Sequence, residues 1–111
     1  MNANIPVVEA LLRTLSAPRR CEIVRLVWDS ELAASDIARH FPDVTRPAIS
    51  QHLRVLRRAG LVNERRDGTR RLYSARHDEV ARVRDFVDSF WTDRLNRLRD
   101  IAESSARQRE Q

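Results

Sequence analysis

The run Thr45-Arg-Pro-Ala-Ile-Ser-Gln-His-Leu-Arg-Val-Leu-Arg-Arg-Ala-Gly60, followed at once by Leu61-Val-Asn-Glu-Arg-Arg-Asp-Gly-Thr-Arg-Arg-Leu-Tyr73, constrains this chain more than any other segment. Ile49, Leu53, Leu56 and Ala59 are spaced four, three and three, the period of a helix with one buried stripe. Thr45 is an N-cap residue type, Pro47 is tolerated in a first turn, and Gly60 supplies the left-handed stop. Removing the stripe leaves Arg46, Pro47, Ser50, Gln51, Arg54 and Arg57 on the open face of a helix over 46–59. Strands are expected at 61–66 and 69–75, with Asp67-Gly68 as a two-residue hairpin signal. Arg65, Arg66, Arg70 and Arg71 flank that turn. A helix with small polar and guanidinium groups outward, beside an arginine-rich hairpin, is the layout that lets a winged helix-turn-helix enter DNA grooves.

The placement of charge supports the same reading. Residues 46–76 carry nine arginines against two acids, Glu64 and Asp67, a net of +7. The rest of the chain holds twelve arginines against fourteen acids, a net of −2, and together these make the +5 of the whole. Positive charge concentrated on one helix and hairpin is the footprint of phosphate contact. The alternative, a solvated arginine-rich surface, does not account for that segregation. All 21 basic residues are arginine, which base composition alone can produce.

With 111 residues there is room for one small core. No apolar run approaches 18 residues and no signal-peptide pattern opens the chain, so a cytoplasmic location is expected. The single cysteine, Cys21, rules out an internal disulfide and suits a reducing compartment.

The flanking segments read as helices. Asn4 is a candidate cap for a helix over 4–15, with Pro6 in its first turn and Ile5, Val8, Leu11, Leu12 and Leu15 at helical spacing. Ser16 is expected to cap a second helix running to about Trp28, with Pro18 in its first turn and Ile23, Leu26 and Val27 inward. A short helix follows at about 34–40, and Phe41–Thr45 makes the turn into the reading helix. From His77 to about Glu103 runs a long helix with Val80, Val83, Val87, Phe90, Trp91, Leu95, Leu98 and Ile101 along one stripe. The polar tail from Ser104 is expected to fray. The whole is a single mainly α domain over 1–111 with a β-hairpin wing (α+β). Its helix-turn-helix lies at about 34–60 and its wing at 61–75.

Roles follow from side-chain chemistry. Gln51 suits a bidentate pair with adenine and Arg54 one with guanine, while Ser50 suits a base edge or a phosphate. The first-turn amides after Thr45 favour a phosphate. His52 fits a packing or phosphate-contacting flank better than a reader. The wing arginines suit the backbone or an adjacent narrow minor groove, against the alternative of cross-strand pairing such as Glu64 with an arginine. Tyr73 is expected to pack on the hairpin rather than on a base.

The run Arg46–Val62 with its wing resembles the ArsR/SmtB family of bacterial transcriptional repressors, and Leu15-Ser-Ala-Pro-Arg-Arg-Cys-Glu-Ile-Val24 fits the start of that family's second helix. The similarity extends from Leu12 to about Glu103. The turn Phe41–Thr45 is one residue longer than the commonest family version. The resemblance implies a homodimeric winged helix that binds a palindromic operator and releases it on a signal. Dimerisation also follows from the residues. The last helix would be near 40 Å long, and so small a body cannot cover its stripe. Packing the helices 4–15 and 77–103 against a second copy, through Val8, Leu11, Leu12, Val83, Val87, Phe90, Trp91, Leu95 and Leu98, would give a core. The alternative is that both stripes cover the monomer's own core.

Many proteins of the resembled family bind metal through a Glu-Leu-Cys-Val-Cys-Asp motif. Here the stretch is Glu31-Leu-Ala-Ala-Ser-Asp36, with Ala33 and Ser35 where the thiolates would stand. Alanine has no donor atom and serine is a poor ligand for soft metals. The family's other site uses Asp and His pairs on the last helix. Here that helix has Asp78, Asp85, Asp88 and Asp93 but only His77. His40, His52 and His77 lie in different elements, so neither metal site and no cofactor is expected. A redox role for Cys21 would require an intermolecular disulfide or a sulfenic acid, against the plainer reading of a partly buried small residue. Trp28, Phe86, Phe90 and Trp91 are candidates for an organic-effector pocket or for dimer core. Three functions remain in order: a dimeric repressor, a sequence-tolerant architectural DNA binder, and a metal- or redox-responsive repressor with a non-standard sensing site. No catalytic spacing is present, so an enzyme is not expected.

Overall fold

The computed structural model describes residues 5–110, so the expected cap Asn4 lies outside the described residues. Elements follow in the order α1 (Ile5–Leu15), α2 (Pro18–Leu26), β1 (Leu32–Ala33), α3 (Ala34–Arg39), α4 (Arg46–Arg58), β2 (Val62–Asp67), β3 (Arg70–Ala75) and α5 (His77–Glu110). The three strands form one antiparallel sheet in the order β1-β3-β2. Ile23, Val27, Ile37, Ile49, Leu53, Leu56 and Leu61 are the largest side chains fully removed from solvent. The core therefore lies where α2, α3 and α4 meet the base of the hairpin. Among the described residues no helix is long and apolar enough to cross a membrane.

Several boundaries depart from the sequence reading for local reasons. Ser16 does not cap α2. Its hydroxyl donates back to the Arg13 carbonyl at 2.7 Å, and the cap position falls on Ala17, before Pro18. That helix stops at Leu26 rather than at Trp28, because the Val27 carbonyl accepts from the Ala75 amide at 2.9 Å and so binds the sheet. Strand β1 was not expected. It is two residues long, too short for periodicity, and exists because Leu32 and Ala33 pair with Tyr73 and Leu72. In the hairpin Asp67 pairs with Arg70, so the two-residue loop is Gly68-Thr69, one position later than the Asp67-Gly68 signal. Gly68 alone takes a positive φ there, +64°, the pattern of a type II′ turn. Finally, α5 does not fray at Ser104 but stays helical to Glu110. Its 34 residues span about 50 Å, and the molecule is 74 Å along its longest axis.

The reading helix matches its sequence pattern closely. Thr45 Oγ1 accepts from the Ala48 amide at 3.3 Å, Ile49, Leu53 and Leu56 are buried, and Gly60 closes the end at φ +80°.

Candidate nucleic-acid interface

With the stripe of α4 sunk in the core, Thr45, Arg46, Pro47, Ser50, Gln51, Arg54 and Arg57 are all exposed. Helical spacing puts Arg46, Pro47, Ser50, Gln51 and Arg54 on one outward face. Two candidate readers are already linked, since the Arg54 guanidinium donates to Gln51 Oε1 at 3.1 Å. This contact holds both side chains over the same patch and limits the rotamers each must give up on binding. His52 is set apart from them. It is half-buried, and burial first, then the charges of Arg20 and Arg19 on α2, hold its imidazole below its ordinary range. It thus sits toward α2, as a packing flank.

The pleat sorts the four wing arginines into two pairs. Arg66 lies directly opposite Arg71, and Arg70 opposite Asp67, so Arg65 and Arg70 share one face and Arg66 and Arg71 the other. On the first face both guanidinium groups meet acids of the body. Arg65 grips Glu31 through two hydrogen bonds of 3.1 and 2.6 Å, and Arg70 reaches Asp36 at 3.2 Å. The Arg65 contact holds the Glu31 carboxyl below its ordinary range. On the second face Arg71 is 4.0 Å from Glu64, which also pairs with Arg57 at 3.4 Å and accepts from the Tyr73 hydroxyl at 3.2 Å. Arg66 makes no ion pair among the described residues. Like charges directly opposite one another destabilise a ladder. The Arg66–Arg71 pair is therefore a local cost of the kind found where a surface is shaped for a ligand.

Sequence reasoning missed the anchoring of the wing by Glu31 and Asp36. Those residues stand in α3 and just before β1, more than thirty positions from their partners, and only the short β1–β3 pairing brings them across. Tyr73 is buried and bonded to Glu64, as the packing role required. Between the start of α3, Arg46 and the wing lies a cleft of about 350 Å³ lined by Ala33, Ser35, Arg46, Thr69, Arg70 and Arg71. Ala33 and Ser35 thus line a basic cleft. Ala33 itself is buried at the sheet edge.

Residues 17–64 match the family described as "Bacterial regulatory protein, arsR family". The HTH-type transcriptional regulator Rv2034 of Mycobacterium tuberculosis is 39% identical over 92 residues, 83% of this chain and 85% of that protein. The chain belongs to the ArsR family. The arsenical resistance operon repressor of Staphylococcus xylosus is 31% identical across 73% of this chain and 77% of its own length. A solved structure described as a possible transcriptional regulator for arsenical resistance superposes with a TM-score of 0.68 at 45% identity, covering 78% of this chain and 90% of that one. This ArsR-family chain is accordingly a DNA-binding transcriptional regulator with a winged-helix fold, not an enzyme. The matched segment spans α2 to the first half of β2, so the whole reading helix lies within it.

The expected partner-facing residues divide in two. Val8 and Leu11 of α1 and Val83 of α5 are buried within the single chain, where α1 packs on α5. Leu12 and Val87 are half-buried against the same core. Phe90, Trp91, Leu95, Leu98 and Ile101 are left 47% to 61% exposed along the distal part of α5.

Proposed function

We propose that this ArsR-family chain is a homodimeric repressor that binds a palindromic operator, with α4 in the major groove and the wing along the flanking backbone. The observation that carries this reading is the exposed arc of Arg46, Ser50, Gln51 and Arg54 beside Arg66 and Arg71, with the core stripe of α4 pointing the other way. In this arrangement Gln51 and Arg54 read base edges. Ser50 and the amides of the first turn hold a phosphate, and Thr45 fixes that turn. Arg46 and the wing side chains Arg65, Arg66, Arg70 and Arg71 supply the salt-dependent part of the affinity. Arg57 holds Glu64 and keeps the wing at its angle to α4.

The dimer reading is supported by the uncovered stripe on distal α5. Five large apolar side chains in line are more than a small monomer exposes singly, and a second copy packed antiparallel on them would bury a core. A two-fold axis through these helices would set two reading helices about one DNA turn apart, which is the geometry of an inverted repeat. The repressor reading is favoured by the similar protein from Staphylococcus xylosus, whose name states that role.

One observation favours a second reading. Arg66, which makes no ion pair among the described residues, and Arg71, shared with Glu64 at 4.0 Å, would together bind the backbone of any duplex, as a sequence-tolerant architectural protein does. Binding of the purified protein to its own upstream DNA and to random duplex across a salt series separates the two. A specific repressor prefers its operator by about a thousandfold or more and protects a two-fold-symmetric site. Equal affinities that fall together with salt would point to the architectural role or to an operator elsewhere in the genome, which genome-wide occupancy then separates.

A further inference from the structure

A cavity of about 420 Å³ opens between the end of α1, the length of α2 and the start of α5, and no residue of the reading helix lines it. Leu15, Val24, Trp28 and Val80 supply apolar wall, Cys21 is half-buried in it, and Arg25 and Asp29 complete the lining. Protein interiors rarely leave voids much larger than a water, whereas small-molecule sites fall in the range of about 300–1,000 Å³. The groove opens to solvent and has the volume of a small-molecule site. The cleft beside Arg46 and the wing differs, being lined by three arginines with Ala33, Ala34, Ser35 and Thr69.

Two features specify an occupant. Trp28 gives the cavity a flat apolar surface, and its ring is held in place by a stack on His77, with centroids 4.0 Å apart and planes 18° from parallel. A planar hydrocarbon body matches such a wall. Arg25 is the cation of the lining, is exposed there, and makes no ion pair among the described residues. Its planar fork of donors fits a carboxylate. We propose that this cavity is a binding site for a small aromatic carboxylate, with its ring against Trp28 and Val80 and its head group on Arg25. The site does not depend on the dimer or on the operator reading.

The same residues explain how occupancy would be felt elsewhere. The Trp28 carbonyl accepts from His77 Nε2–H at 2.7 Å, the neighbouring Val27 carbonyl accepts from the Ala75 amide at 2.9 Å, and the Arg76 amide donates to Leu61 at 2.8 Å. The end of α2 is thereby tied to the end of β3 and to the first turn of α5, and the residue after β3 is tied in turn to the residue before β2. A ring seated against Trp28 and Val80 presses on both sides of that joint.

Proton–nitrogen NMR of the intact protein tests the proposal, because the chain has only two tryptophans and hence two indole signals. Trp91→Phe assigns them. Naphthoate is the probe, with naphthylmethanol and naphthylmethylamine as uncharged and cationic counterparts. Naphthoate is expected to shift the Trp28 indole and the Ala75 amide and to leave the Trp91 indole in place. Arg25→Gln, a change at an exposed helix position, is expected to weaken naphthoate about tenfold while leaving naphthylmethanol within about twofold. Val80→Trp, which fills the cavity, is expected to abolish both. The proposal is overturned if millimolar naphthoate leaves Trp28 unmoved, if only Trp91 responds, if the amine binds better than the acid, or if Arg25→Gln weakens acid and alcohol alike. Should Val80→Trp fail to fold, the Arg25→Gln comparison decides alone.

Discussion

Helix α4 and the distal part of α5 are both amphipathic, yet their apolar stripes meet opposite fates. On α4, Ile49, Leu53 and Leu56 are at most 1% exposed, because α2, α3 and the sheet close over them. On α5 the stripe that begins with Val83 in the core continues through Phe90, Trp91, Leu95, Leu98 and Ile101 into open space. Periodicity reports that a face is apolar. It does not report whether the same chain will cover it. The helix whose stripe is covered presents its polar face outward. The helix that outruns its own body presents an apolar face to whatever can bury it.

The largest effect separating these regions is expected in stability. Leu53→Ala should cost about 2–5 kcal/mol in denaturant unfolding, since it leaves a cavity in a closed core. Leu98→Ala should cost an isolated chain less than about 1 kcal/mol, since the side chain is already in water there. Equal losses measured under dilute, monomeric conditions would abolish the distinction. Next in size is assembly. Phe90→Glu should convert a sedimenting dimer to monomer without lowering helix content, because it places a charge in the proposed seam. An intact dimer would move the interface to another surface.

Within the DNA-facing region the comparison narrows to side chains. Arg66→Ala should weaken operator and random DNA alike and lower the salt slope by about one. Arg70→Ala should act the same way but less, because that guanidinium is shared with Asp36. Gln51→Ala should instead relax sequence preference, by about 1–3 kcal/mol at one base position. Equal losses on both DNAs for Gln51→Ala and Arg66→Ala would reject the division into readers and anchors.

The smallest effect concerns His52. Its imidazole is held below 6.5 by burial and by Arg20 and Arg19, so the unfolded chain takes up the proton first as pH falls. Its contribution is complete above pH 6.5 and is lost as pH drops through the depressed native value. His52→Gln should flatten that part of the stability curve, and an unchanged slope would place His52 in open solvent.

Much of this molecule is legible in its sequence alone. Thr45, the four-three-three stripe and Gly60 predicted α4 to within a residue, because capping, periodicity and positive φ are local properties of adjacent residues. The hairpin was legible for the same reason, although its loop slid by one residue once the register of Asp67 with Arg70 was satisfied. Strand β1 and the ties from Glu31 and Asp36 to the wing were not, since they depend on residues brought together from more than thirty positions apart. Trp28, Phe86, Phe90 and Trp91, read in the sequence as dimer core or as an effector pocket, do not lie together. Trp28 does line a cavity, but Phe90 and Trp91 lie exposed on α5.

The sequence by itself determined which segments are helical, where the positive charge gathers and which family's reading helix this is. Each of those rests on neighbours in the chain or on composition. The tertiary structure decided which arginines are free and which are held, which half of the long apolar stripe stays uncovered, and that the end of α2 is bound to the wing. Those depend on distances across the fold, set when β3 pairs with β1 and β2 and α5 leaves the body behind.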